Sequence, residues 1–370
     1  MEAGAGRDHS RQLVTTQSIM KSHSLFSVLS LAFSLEAISA SSVAAQTSGT
    51  SGAAESRPQP AIDTVPPKSV IETPFTIQSG TLTLPGTLTL PANYDHSIPV
   101  ALIVAGSGPT DRNGNSAGAL RAQNNSNLYA ILAWQLANAG IASVRYDKRV
   151  IGDNLKKLDL ASTSIDDFIA DAMAGARRLV DDRRFSKVIL IGHSEGAELV
   201  LQAVNRGAPA SGIVMMSGAG RPLVQILREQ ISRQLPPEEI VKWDSAFARY
   251  LRGDAPGDVH PGLMSLLQPT NRHFMQTWVK YDPAAEIAKV KVPVLIVQGG
   301  RDIQISEADA QALKAARPAA KLVIIPAANH VFRAATTDDR MAQAKLYTDP
   351  TIPIVPELVP AIVEWANKLK

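Results

Sequence analysis

Cysteine does not occur anywhere in the 370 residues. Its absence excludes disulfides, a thiol nucleophile and thiolate metal sites, and it leaves the redox compartment open. Charged residues are sparse at 19% of the chain, and Lys and Arg never gather into a run. A net charge of +3 spread in this way lacks the basic stripe that a phosphate backbone demands, which argues against a nucleic-acid partner. There is no His-Glu-x-x-His, no carboxylate cluster, no dinucleotide fingerprint and no Gly-Lys-Ser/Thr after a glycine-rich loop. No metal and no organic cofactor is therefore expected. Glycine and proline, 24 of each, are scattered rather than periodic, which excludes a fibrous chain. What is present is 45% apolar residues in a chain long enough for a large core, the composition of a globular protein.

The N-terminal apolar run is short. Met20-Lys21 precedes the stretch Leu25–Leu35, Glu36 ends it, and Val43-Ala44-Ala45-Gln46 follows. A basic start, a short apolar core and small residues before a cleavage point form a secretory signal peptide, here 1–45, with Met20 as the true start. The core is too short to cross a bilayer comfortably, so no stable membrane insertion is expected after cleavage. The protein is expected in the periplasm or the medium. Residues 46–67, rich in Ser, Thr, Gly and Pro, read as a linker, and 68–370 as one domain.

Val70 to Leu90 alternates apolar and polar residues around Gly80 and Pro85-Gly86, the pattern of antiparallel strands joined by turns. Beyond it the rhythm changes. Val100–Val104, Ile141–Tyr146, Val188–Ile191, Ile213–Met216, Val292–Val297 and Leu322–Ile325 are short apolar runs, as in strands buried on both faces. Helical patterns lie between or after them at Asn127–Ala139, Ser164–Val180, Gly196–Val204, Ala308–Ala316 and Pro360–Leu369. Such alternation predicts an α/β fold with a mostly parallel sheet, helices on both faces and an antiparallel lead-in. From about residue 219 to 284 the alternation breaks into helical segments carrying Leu223, Ile226, Leu227, Trp243, Phe247, Tyr250, Phe274 and Trp278. An insertion here would lie over the carboxyl ends of the strands, where ligands bind in open sheets, and is read as a lid. The competing reading is a helical pair that only buttresses the sheet.

Gly192-His193-Ser194-Glu195-Gly196 matches G-x-S-x-G. The pentapeptide alone says little, but it sits between a strand and a helix, the context of a nucleophile elbow. A serine hydroxyl needs a base held by an acid, and the expected chain order is Ser, Asp, His. Asp302 follows the strand Val292–Val297, and His330 follows Leu322–Ile325, so both fall at the same sheet edge as Ser194. His9 and His23 lie in or before the signal, His96 before the first parallel strand, His260 and His273 in the insertion, and His193 inside the elbow. Only His330 is placed to be the base. An oxyanion needs two N–H donors, assigned to the amides of Glu195 and Ser107. Ser107 lies in the loop Ala105-Gly106-Ser107-Gly108-Pro109-Thr110-Asp111-Arg112, of which Gly106, Gly108, Asp111 and Arg112, with His193, are candidate pocket or loop residues. Asp111 and Arg112 are expected to pair with each other and shape the loop.

Taken together, Leu84–Pro91, Gly106–Arg112, Arg145-Tyr-Asp-Lys-Arg149, the elbow, Tyr281-Asp-Pro283, Pro293–Asp302 and Asn329-His330 make the chain resemble the bacterial α/β-hydrolases of the EstD-type carboxylesterase and serine aminopeptidase group. The resemblance spans roughly residues 70–370 and implies an α/β-hydrolase fold acting mostly on short acyl esters, in some members on aminoacyl or thioester substrates. Two departures stand out. The oxyanion loop has Ala105-Gly106 where many relatives carry His-Gly, and Val150-Ile151-Gly152 replaces a common Gly-Val-Gly, which should change a loop and leave the chemistry intact.

The reading that follows is a serine carboxylic-ester hydrolase for short to medium acyl groups, with a small-molecule ester as partner and an acyl-enzyme intermediate. The base must be neutral to act, so activity should fall below about pH 6 to 7. An aminopeptidase, amidase or thioesterase on the same fold is the alternative enzyme, for which Glu195, Glu229, Glu238 and Glu239 are candidate anchors for a substrate amine. The alternative from another class is a catalytically silent binding protein of this fold. Nothing in the sequence sets an oligomeric state.

Overall fold

The computed structural model describes residues 64–370. The signal peptide read over 1–45, and residues 46–63 of the linker, lie outside the described residues; 64–67 carry neither helix nor strand. Eight strands form one sheet: β1 (Val70–Ser79), β2 (Leu82–Pro91), β3 (Ile98–Val104), β4 (Ala142–Tyr146), β5 (Phe185–His193), β6 (Gly212–Met216), β7 (Val294–Gly299) and β8 (Lys321–Ile325). Their spatial order is β1-β2-β4-β3-β5-β6-β7-β8. β1 and β2 are antiparallel to each other and β2 to β4, while every pairing from β4 to β8 is parallel. This is the α/β architecture with an antiparallel lead-in that the sequence predicts.

One turn expected in the lead-in is not a turn. β2 runs straight through Pro85-Gly86, with Pro85 opposite Thr76 and Gly86 between Phe75 and Tyr146. A Cβ on Gly86 would stand 2.8 Å from the Arg145 carbonyl oxygen, so the glycine serves the close approach of β4 rather than a reversal.

The continuous apolar runs are explained by burial on both sides. Val100, Leu102 and Val104 of β3 enter one core, and Ala101, Ile103 and Ala105 the other. β5 divides likewise, Val188 and Leu190 against Ile189 and Ile191. One face is covered by α1 (Leu128–Asn138) and α9 (Leu358–Ala366), the other by α2 (Ile165–Val180) and α3 (Glu195–Asn205). α2 begins where Ser164 gives both its N–H and its hydroxyl to the Asp167 carboxylate, at 2.9 and 2.8 Å.

Between β6 and β7 lie α4 (Leu223–Ser232), α5 (Pro237–Arg252) and α6 (Arg272–Trp278), with short helical turns beside them. Their apolar residues join the same core as α2 and α3: Phe274 meets Phe168 edge-on at 5.5 Å, and Thr277 Oγ1 accepts from the Ile165 amide that begins α2. After β7 come α7 (Glu307–Ala316) and, beyond β8, α8 (Arg340–Thr348), an element without a counterpart in the predicted pattern.

Candidate active site

β5 ends at His193, α3 begins at Glu195, and Ser194 makes the whole turn between them. Its φ of 56° and ψ of −121° are rare for a residue with a side chain and cost about 1–3 kcal/mol. The flanking glycines make the turn possible. A Cβ on Gly192 would come within 2.1 Å of the Gly196 oxygen, and one on Gly196 within 2.2 Å of the Val104 oxygen. The Ser194 amide is tied to the Met216 carbonyl of the neighbouring strand at 2.9 Å. Strain is therefore held between two strands and a helix N-terminus, whose dipole favours negative charge at this point.

The loops after β7 and β8 bring Asp302 to His330. Gly299 and Gly300 let them touch: Cβ atoms there would lie 2.4 Å from the Ala328 oxygen and 2.8 Å from the Pro326 oxygen. The Gly300 and Arg301 amides donate across to Ile325 and Ala328, both at 2.9 Å. His330 Nδ1 then meets Asp302 Oδ2 at 2.8 Å, both side chains buried. Asp302 also accepts from the amides of Gln304 and Ile305 at 2.8 and 3.0 Å and from Gln298 Nε2 at 3.2 Å. Burial opposes its ionisation, but the His330 charge and these hydrogen bonds prevail and keep the carboxyl below its usual range.

Ser194 and His330 line one cleft with Gly106, Ser107, Thr110 and His193, and its walls mix polar and apolar surface. Among the described residues the Ser194 hydroxyl has no hydrogen-bond partner, and the amides of Ser107 and Glu195 have no acceptor. A second, smaller cavity also reaches Ser194, walled by Ala219, Leu223, Ile226, Trp278 and Ile305. Glu195 and Glu198 also line it.

Three residues that sequence reasoning passed over hold this centre together. Tyr129 Oη accepts the Gly106 amide at 2.9 Å, so its one hydrogen goes to His193 Nδ1, also 2.9 Å away. His193 Nε2–H in turn donates to the His330 carbonyl at 2.8 Å. Only a neutral imidazole satisfies this chain, and burial, with His330 beside it, pulls the His193 pKa down to about 3. Lys148 Nζ reaches Glu195 Oε1 at 2.7 Å and the Gly106 carbonyl at 2.8 Å. Glu198, one turn along α3, takes the Trp278 indole N–H at 2.9 Å; burial pushes its pKa up to about 7. A buried Tyr, Lys or Glu carries no periodicity of its own; only the Arg145–Arg149 motif hinted at Lys148.

The remaining loop candidates stand apart from the cleft. Gly108 (φ 87°), Asp111 and Arg112 do not line it, whereas Gly106 and His193 do. Asp111 and Arg112 are not paired with each other. Arg112 grips Asp147 through Nε and Nη2 at 3.0 and 2.6 Å, and Asp111 pairs with Arg121 at 2.7 Å while capping the amides of Asn113 and Asn115. Adjacent side chains diverge in a turn, so each finds a partner farther along the chain. The acids proposed as amine anchors are mostly engaged: Glu195 with Lys148, Glu229 with Arg221 and Arg233, Glu239 with Lys242. Glu238 is exposed in the first turn of α5.

No group of three or more metal-ligating side chains occurs among the described residues. No helix there is long and apolar enough to cross a membrane.

Comparison with known proteins adds lineage to this geometry. A 26% identical match over 273 residues, 73% of this chain, links it to Esterase EstD of Thermotoga maritima. The aligned chain spans 62% of the length of that relative. Among solved structures, Est1E from Butyrivibrio proteoclasticus superposes with a TM-score of 0.50 at 16% identity, over 80% of this chain and 99% of that one. A proline iminopeptidase from Mycobacterium smegmatis does so at 0.50 and 15%, over 80% and 98%. At such identities the structural likeness speaks for the fold alone. The model of the alpha/beta hydrolase family matches residues 119–344, more than half of the chain, and the protein belongs to that family.

Proposed function

We propose that the protein is an exported serine carboxylesterase. In this reading Ser194 attacks the ester carbonyl while His330 takes its proton and delivers it to the departing alcohol. Water, activated by the same histidine, then releases the acid from the acyl-enzyme. Asp302 holds the imidazole in the tautomer with Nδ1–H facing the carboxylate and stabilises the cation that forms. The amides of Ser107 and Glu195 receive the developing oxyanion. The observation that carries the reading is the 2.8 Å His330–Asp302 bond buried at the edge of the cleft into which the strained Ser194 turn also opens. In unliganded enzymes the nucleophile–base bond often closes only with substrate bound, so the unpartnered Ser194 hydroxyl is compatible with it.

Two cavities that meet at Ser194 support a short acyl group in this reading. The small apolar-walled one beside Ser194 suits a short acyl chain, and the larger, mixed cleft suits the alcohol half. Resemblance to an esterase supports an ester over an amide, and the engagement of Glu195, Glu229 and Glu239 by cations weakens the aminopeptidase reading. The helices between β6 and β7 act as the lid in this reading, contributing Leu223, Ile226 and Trp278 to the acyl side. Export is supported by the signal-like residues 20–46.

The test is a panel of p-nitrophenyl esters of rising acyl length beside aminoacyl p-nitroanilides. Turnover of the short esters, abolished by Ser194→Ala, is expected. Turnover of the anilides alone would move the assignment to a peptidase.

A further inference from the structure

The motif Arg145-Tyr-Asp-Lys-Arg149 begins in the last two residues of β4 and runs past its end, and its charged side chains tie that strand end to neighbouring segments, Arg145 to Glu72 at 2.7 Å. Asp147 holds Arg112, and Arg149 holds Asp167 and Asp171 at 2.9 and 2.6 Å. Lys148 is different, because its partners are the two segments that carry the free amides. Its side chain is 3% exposed, packs over the Phe168 ring at 4.9 Å, and links the Glu195 carboxylate to the Gly106 carbonyl.

Peptide geometry turns that link into an orientation. In a trans peptide the C=O and the following N–H point in opposite directions within one plane. With the Gly106 carbonyl drawn toward Lys148, the Ser107 N–H of the same plane must face away from it. The peptide before it is fixed as well, since the Gly106 amide is held by Tyr129. Gly106 itself lies against the elbow, where a Cβ would stand 3.1 Å from that of Ser194. A cation on the carbonyl also polarises the peptide and strengthens its N–H as a donor. At the other end of the link, Glu195 directly follows Ser194, and its own amide is the other donor assigned to the oxyanion.

We propose that Lys148 is the positioning residue of the oxyanion hole: it clamps the Gly106–Ser107 peptide to the side chain of Glu195, so that both oxyanion donors are set by one buried cation. This rests on the serine acyl-transfer reading of the same site. Lys148 lines neither cavity at Ser194. It fixes where the second donor points before substrate arrives.

The variants are Lys148→Met, which keeps the length of the side chain, and the double variant Lys148→Met/Glu195→Met. The double variant leaves no buried charge without a partner, and such replacements are commonly tolerated by a fold. In either folded variant, ester kcat should fall about 10²-fold with KM within about twofold, the loss typical of one misplaced oxyanion donor. Affinity for a trifluoromethyl ketone, whose tetrahedral adduct places an oxyanion in the same hole, should weaken by the same factor. A merely structural lysine would instead lower the amount of titratable active sites and leave the kcat per site and the ketone affinity unchanged. Values per active site within threefold of the parent would overturn the proposal. If the parent turns over no ester, the clamp is still read from fluorophosphonate labelling of Ser194, which should be about 10²-fold slower in the variants. A parent that resists labelling would overturn both readings.

Discussion

Glu198 sits one helical turn beyond Ser194, 7% exposed, with Oε2 on the Trp278 indole and Oε1 without a partner among the described residues. Burial raises its pKa from 4.5 to about 7, and the nearby Glu195 charge adds to the shift. Because the folded value lies above the unfolded one, its contribution to stability is complete below about pH 4.5 and is lost as pH rises through 7. Glu198→Gln has no such dependence. Denaturant titrations at pH 5 and pH 8 should therefore show the variant gaining on the parent with rising pH, by up to roughly 3 kcal/mol. A pH-independent offset would contradict the burial argument. Asp302 is the opposite case, an acid kept ionised by its partners. Asp302→Asn keeps the shape but inverts the hydrogen-bond preference for His330, and kcat should fall about 10³–10⁴-fold in steady-state assays with little loss of thermal stability. A loss below tenfold would deny Asp302 its role in orienting the base.

At the level of elements, the strand-to-helix turn is tightly constrained on both sides of Ser194. Gly192→Ala and Gly196→Ala would drive a methyl carbon to 2.1 and 2.2 Å from backbone oxygens, so neither neighbour can yield without moving a strand. Each should cost about 3 kcal/mol or more in chemical denaturation, or abolish folding; a change under about 0.5 kcal/mol would mean that the elbow is looser than described. The same turn was the most legible feature of the sequence, since two glycines around a serine at a strand end satisfy one geometry and few others. The parallel strands were legible for a related reason: residues buried on both faces, such as those of β3 and β5, leave a continuous apolar run. Pro85-Gly86 misled because both residues favour turns, while here a neighbouring strand needed the space. α8 escaped notice because a polar segment with only Gln343 and Tyr347 buried carries little periodicity.

On the scale of the whole molecule, what sequence could not supply is the wiring between loops that lie far apart in the chain. The candidate Ser, Asp and His were marked by motif and order, but Tyr129, His193 and Lys148 acquire their partners only when β4, β3 and β5 lie side by side and the loop after β8 reaches back to His193. The same wiring separates this site from a bare turn serine. Export belongs to this scale too: a chain processed after Ala45 should be recovered outside the cytoplasm with Gln46 as its first residue, read by N-terminal sequencing, and unprocessed cytosolic protein would contradict it. The central claim is that Ser194 performs acyl transfer on esters. Its most direct measurement is the rate of p-nitrophenyl acetate and butyrate hydrolysis by the purified protein and by Ser194→Ala, with folding of both checked by circular dichroism. The account predicts turnover by the parent and a loss of at least about 10³-fold in the variant. Equal rates in the two proteins, or a folded parent that hydrolyses neither ester, would contradict it.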